Sequence, residues 1–182
     1  MKQTQLNKYQ NDDHNFGSSI KKTFWYFTNM FIFKTLLPIP SSVKVKILRA
    51  FGAKVGKGVV IKPDVSIKYP WFLKIGNYCW IGENVWIDNL ASVMIGNNVC
   101  LSQGCYLLTG SHNYTKEAFD LMLGEITLED GVWIGAKATV CPGVTCKSHS
   151  VLAVGSIATH DLDAYGVYQG NPAVKKRERV IK

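Results

Sequence analysis

The side chains able to move protons near neutral pH are few in this chain: His14, His112, His149 and His160. An imidazole within reach of a hydroxyl can take its proton as the oxygen attacks an activated acyl carbon. His112 sits in the stretch SHNY, just before a long non-repeating run from Asn113 to Thr127; His14 lies in a polar segment, and His149 and His160 in a regular stretch with no insertion beside them. Histidines so placed do not converge as zinc ligands, and the five cysteines include no CxxC pair, so no metal is expected. An odd cysteine count also argues against a disulfide framework. Cys79, Cys105 and Cys146 read as small apolar core residues of a reducing compartment.

What must position His112 is a repeat of period six. From Val55 to Asp163 the chain divides into fifteen hexapeptides, and the first residue is Val, Ile or Leu in thirteen of them, the exceptions being Cys146 and Ala158. A period of six is neither helical nor a plain strand alternation, so the chain returns to one environment after each short flat face. Three faces make a triangular coil of eighteen residues. The first residue of each unit points inward and the fifth, mostly Val, Ala, Cys or Ser, fills the remaining interior; Trp71 and Leu162 are the misfits. The expected fold is all-β, a parallel β-helix of about five triangular coils.

Extra residues interrupt the repeat after Phe72, Ser92 and His112, each following the third face of its coil. This predicts a column of outward residues, Phe72, Ser92 and His112, at one corner, with a protruding loop over 113–127. Long loops on a rigid solenoid are a usual place for function. On this register Cys105 and Ser111 occupy inward fifth positions, closed to nucleophilic use.

Charge divides the chain. Residues 1–54 carry nine basic and two acidic groups, 55–173 seven and ten, and 174–182 five and one, for a net +8. An acidic solenoid with basic ends disfavours a nucleic-acid track and suits phosphate or anionic lipid headgroups. The expected organisation is a flexible polar arm over 1–19, a helical cap or membrane-contact segment over 20–54, the β-helix over 55–169, and a basic tail over 170–182. Ser18 or Ser19 caps a first helix from about Ile20 to Leu37, stopped by Pro38 and Pro40, and a second runs from Ser42 to Phe51 before Gly52. The first is rich in Phe, Trp and Tyr, too short to span a membrane, and bracketed by Lys21, Lys22 and Lys34. It lacks the order of a signal peptide. Two readings stand: a cap on the open coil edge alone, or a cap whose outer face also touches a membrane surface through residues 20–37.

The repeats, the SHNY loop start, VWIGAKATVCPGVT and YQGNPA resemble the hexapeptide-repeat acyltransferases. FGAKVGKGVVIKP, YPW and SQGCYLLTGSHNY are similar to O-acetyltransferases of colanic acid and other exopolysaccharide clusters, over roughly residues 20–179. The resemblance implies a left-handed β-helix, a cytoplasmic homotrimer with sites between subunits, and acetyl-CoA as donor. It implies transfer to a sugar hydroxyl of an exopolysaccharide, capsule or lipid-linked oligosaccharide precursor. The family's catalytic histidine falls on His112, which would act as general base in direct transfer and then protonate the leaving thiolate, with a backbone N–H on the oxyanion.

Related polysaccharide enzymes often carry Asp directly after that histidine, where this chain has Asn113. Orientation of the imidazole then falls to a backbone carbonyl or Asp120, or Asn113 contacts substrate. Asp88 and Asn89, one coil below, are the candidate acceptor contacts. The acceptor-binding positions of the galactoside enzymes read Gly82 and Leu90 here, so that sugar preference does not carry over. For the donor, the resemblance puts Trp133 against the pantetheine arm, Gly135, Ala136, Val154 and Thr159 where coil backbone approaches coenzyme A, and Arg177 near the nucleotide phosphates, assisted by Lys175, Lys176 and Arg179.

Two other classes are weighed. Acetylation of a free small molecule (nucleotide sugar, serine or antibiotic) uses the same fold, and the aromatic basic N-terminus points away from it. A non-enzymatic or ice-binding solenoid would show regular outward Thr ranks and no loop at His112, and neither holds.

Overall fold

The computed structural model describes residues 3–10 and 14–182, and its body is a left-handed parallel β-helix. The inward columns follow the hexapeptide register: Val55, Ile75, Ile95, Leu128 and Cys146 stack on the first face. Ile61, Ile81, Leu101, Ile134, Leu152 and Tyr168 stack on the second, and Ile67, Ile87, Leu107, Val140 and Ala158 on the third. All fifteen first positions are buried, and each large aliphatic among them is stabilising by roughly 1.5–3 kcal/mol relative to exposure. A partial sixth coil forms from Gly166–Gly170, and Ala173–Glu178 pairs antiparallel with it. Much of the segment read as a basic tail is therefore a strand closing the last coil.

The corners are not equivalent. At every corner between the first and second faces, and between the second and third, the fourth residue of the hexapeptide has φ between 54° and 71°. The left-handed residue turns the chain sharply enough to start the next flat face, at some cost where it is Tyr78, Asn84 or His149 instead of glycine. At the corner after the third face only Gly143 does this. The insertions fall at that corner. The two short ones are not loops: Leu73 and Val93 are buried and begin three-residue strands of the first face, paired with each other and with Ile126.

The N-terminal helices seal the first coil, whose upper edge would otherwise expose unpaired backbone groups. Helix α1, Ser19–Thr28, is capped by Ser18, whose Oγ accepts from Lys21 N, and it runs into a π-helical turn, Asn29–Phe33, so it ends earlier than Pro38 suggests. Helix α2 spans Ser41–Ala50. Phe33 O accepts from Val65 N, Trp25 Nε1 donates to Ile67 O at 2.8 Å, and Arg49 donates to Val55 O and Gly56 O. Lys44 is fully buried and donates to Lys62 O at 2.8 Å, and desolvation lowers its pKa. The outer face of α1 and the turn leaves Ile20, Phe24, Phe27 and Phe31 exposed. No helix among the described residues is long and apolar enough to cross a membrane.

Candidate active site

After Leu108 the chain leaves the solenoid as an antiparallel hairpin, Gly110–His112 with Leu121–Leu123, and returns where Gly124 N donates to Thr109 O. The hairpin changes two expectations. Ser111 is exposed, because the strand has peeled away from the core before reaching it; its alternation with His112 puts the two side chains on opposite faces. Ser92 is matched by Glu125, with Ile126 N donating to Ser92 O, so the column is Phe72, Ser92 and Glu125 in place of the predicted Phe72, Ser92 and His112, and His112 projects beyond it. Cys105 stays in the core, its thiol pushed up to about 12 by burial.

His112 is held on three sides. Its Nδ1 lies 2.8 Å from Phe119 O, and the Phe119 ring stacks on the imidazole at 4.4 Å and 10°. Tyr9 approaches with ring centroids 5.8 Å apart. A carbonyl oxygen can only accept, so Nδ1 carries the hydrogen and Nε2 presents its lone pair. Phe119 supplies that carbonyl from a left-handed conformation, φ 56°, an unusual state for an aromatic residue and one that clusters at functional sites. Asp120 pairs with Lys116 at 2.9 Å, and Asn113 Oδ1 accepts from Thr115 N and Oγ1, shaping its own turn. The backbone carbonyl is thus the orienting group.

Tyr9 belongs to the segment expected to be a flexible arm. Residues 3–10 instead dock on the excursion: Gln5 N donates to Glu117 O, and Lys8 pairs with Glu117 at 2.8 Å. Phe16 stacks on Tyr69 further along. Residues 1, 2 and 11–13 of the predicted arm lie outside the described residues.

One coil below, Asp88 and Asn89 differ. Asn89 is fully buried, donating to Tyr69 O at 2.6 Å and accepting from Tyr69 N, so it braces the corner from inside and presents no free amide to an acceptor. Asp88 ends the third face. Its Oδ2 accepts from Tyr106 Oη at 3.3 Å; its buried Oδ1 has no hydrogen-bond donor, and Lys68 Nζ lies 3.9 Å away. Burial first, and the Asp88 charge second, push the Tyr106 phenol up to about 12. Trp86 stacks on Tyr106 at 4.8 Å. Trp86 and Tyr106 were missed, although both stand at outward sixth positions like Trp133, and that position was their signal. Tyr9 and Phe119 gave none.

Four of the donor candidates, Trp133, Gly135, Ala136 and Val154, gather at another corner. Trp133 is exposed on the second face, its Nε1 donating to Ser102 Oγ at 2.9 Å. Gly135 and Ala136 turn the corner after it, and the next coil stacks there through Gly135 N to Leu152 O and Gly155 N to Ala136 O, with Val154 exposed beside them. A Cβ on Gly135 would lie 2.7 Å from Val154 N, so the coil stack itself demands glycine. Thr159 is at the corner after the third face, its Oγ1 2.9 Å from His160 Nδ1. Arg177 is exposed on the last strand; Lys175 pairs with Glu178 at 2.8 Å, and Arg179 donates to Gly131 O and His149 O. Within one chain, the Trp133 corner and His112 are separated by the whole third face. Among the described residues no group of three or more His, Cys, Asp or Glu side chains converges.

No family model matches the chain. It is similar to a protein of Escherichia coli K12 named as a colanic acid biosynthesis acetyltransferase, WcaF, with 38% identity over 164 residues covering 90% of both chains. It is 29% identical over 154 residues to the galactoside O-acetyltransferase of the same strain, covering 83% of this chain and 76% of that one. Its fold matches that of a hexapeptide-repeat acetyltransferase from Vibrio cholerae solved with acetyl-CoA, at a TM-score of 0.82 and 22% identity over 92% of this chain and 93% of that one.

Proposed function

The chain belongs to the hexapeptide-repeat acetyltransferases, and from that premise we propose that it moves an acetyl group from acetyl-CoA to a sugar hydroxyl of an exopolysaccharide, capsule or lipid-linked precursor. The observation that carries the mechanism is the contact of His112 Nδ1 with Phe119 O, which leaves Nε2 free to act as a base. His112 takes the hydroxyl proton as the oxygen bonds to the acyl carbon; when the carbon–sulfur bond breaks, the imidazolium returns the proton to sulfur. The net products are an O-acetyl ester and free thiol. Bound acetyl-CoA supplies the activated thioester. The exposed Trp133 indole, tethered by Ser102 and flanked by Ala136 and Val154, offers the flat apolar surface a pantetheine arm fits, and Arg177 supplies charge for phosphates. Gly135 forms the same corner, and Thr159 stands a face away at the corner after the third face.

Because one chain keeps the Trp133 corner a full face away from His112, the working unit is a homotrimer in which His112 of one subunit meets the donor corner of the next. The acceptor side comprises Asp88, with Asn113 at the hairpin turn. The exposed aromatics and lysines of residues 20–37 rest on a membrane, giving a cytoplasmic enzyme peripheral to the inner face of the cell membrane. The test is His112→Ala with calorimetry of acetyl-CoA binding alongside. Turnover should fall roughly 10²–10⁴-fold while the donor Kd changes less than about twofold. Near-normal turnover removes the base, and absence of donor binding in the parent removes the acetyl-CoA reading.

A further inference from the structure

From residue 14 to residue 63 the chain carries nine lysines and arginines and no acidic residue. Lys44 and Arg49 are engaged on backbone carbonyls of the first coil, and Lys21 lies 4.4 Å over the Trp71 ring. Two others, Lys22 and Lys34, have no ion-pair partner among the described residues. They face, with Lys68, a groove of about 680 Å³ between α1 and the third face. Asn29 and Tyr26 line it from the helix side and Tyr69 and Trp86 from the solenoid.

The groove has two chemically distinct ends. Lys22 and Lys34 line it from the helix side and Lys68 from the solenoid side, where its Nζ also lies 3.9 Å from Asp88 Oδ1, and a compact, multiply charged oxyanion is what such a set holds best. At the solenoid end Trp86 stacks on Tyr106 beside Asp88, whose buried Oδ1 lacks a donor. Trp86 is the half of that stack that lines the groove, and its exposed indole suits the flat face of a sugar ring. Asp88 O accepts from Thr109 Oγ1, three residues before His112, so this end adjoins the hairpin. Phe27 lines the groove on the helix side and is exposed, and Phe24 on the same helix and Phe31 on the π-helical turn after it are exposed as well.

We propose that this groove is a subsite for the diphosphate of a membrane-lipid-linked saccharide, with Lys22, Lys34 and Lys68 on the phosphates and Trp86 on the first sugar, braced from behind by Tyr106 and Asp88. The saccharide then runs toward His112 and the lipid toward the exposed aromatic face. This inference rests on the acceptor half of the proposed function. It commits to the lipid as the source because the cationic end is continuous with that apolar face.

The test is co-sedimentation of the full chain with phosphatidylcholine vesicles doped with a polyprenyl diphosphate, or with phosphatidylglycerol to equal surface charge. The parent should bind the diphosphate vesicles about tenfold or more tightly, and inorganic pyrophosphate should displace it from them. Lys22→Gln/Lys34→Gln/Lys68→Gln should lose that preference. Lys46→Gln/Lys54→Gln/Lys57→Gln, equal in charge but away from the groove, should keep it. Equal binding to both vesicles, failure of pyrophosphate to compete, or equal losses in the two variants would overturn the subsite in favour of a diffuse basic surface. Tight pyrophosphate binding without vesicle binding would overturn the lipid source and point to a soluble sugar nucleotide. No acetyl transfer enters these measurements. Calorimetry with acetyl-CoA on the same proteins reports separately on the donor reading, and a parent that fails to bind acetyl-CoA yet prefers diphosphate vesicles would sink only that reading.

Discussion

The corner after the second face and the corner after the third are built from the same repeat and do opposite things. The former takes a left-handed residue in every coil, accepts no insertion, and brings backbone and small side chains together at Gly135, Ala136 and Val154. The latter lacks that residue in the first three coils, and there the chain inserts extra residues, the last time as the hairpin bearing His112. A tight periodic turn makes a smooth groove but leaves no room for a projecting titratable group. Releasing the turn at one corner lets an imidazole stand off the surface, at the cost of needing new partners to fix it. Phe119 O and the docked Tyr9 are those partners.

Each corner can be perturbed separately. Gly135→Ala attacks the smooth corner, since the new Cβ meets Val154 N and Leu152 O of the next coil, backbone that cannot move aside. A loss of about 2 kcal/mol in chemical denaturation is expected, and unchanged stability would show that the coils tolerate wider spacing there. Phe119→Ala attacks the projecting corner. It removes the ring stacked on His112 and keeps the carbonyl, so turnover should fall about tenfold with the acetyl-CoA Kd unmoved. A fall in donor affinity instead would mean that the stack shapes the donor site.

The smallest effect sharpens the comparison at the remaining corner, between the first and second faces. There Asn77, Asn97 and Asp130 form a ladder in which each side chain accepts from the backbone of the coil before. Hydrogen bonds from Asn97 hold the Asp130 carboxyl below its ordinary 3.8. A depressed folded pKa contributes stability that is present above the unfolded value and is lost as pH falls through the folded one. Melting temperature should therefore drop slightly more steeply below about pH 4 in the parent than in Asp130→Asn. Identical slopes would mean that the exposed ladder adds no pH-dependent stability.

The period of six determined the fold from sequence alone. Inward aliphatics recur because each face must bury the same position, and every predicted first-position residue from Val55 to Ala158 is in the core. The same register singled out His112 and Trp133, and applied evenly it would also have found Trp86 and Tyr106. Other features were beyond it. Ser111 is exposed, Asn89 is enclosed, and residues 3–10 rest on the excursion because those outcomes depend on where a hairpin leaves the coil and what then covers it. Periodicity specifies a residue's environment only while the chain keeps its period. At the insertion, the orientation of His112 passes to contacts between segments far apart in sequence, and those exist only once the chain has folded.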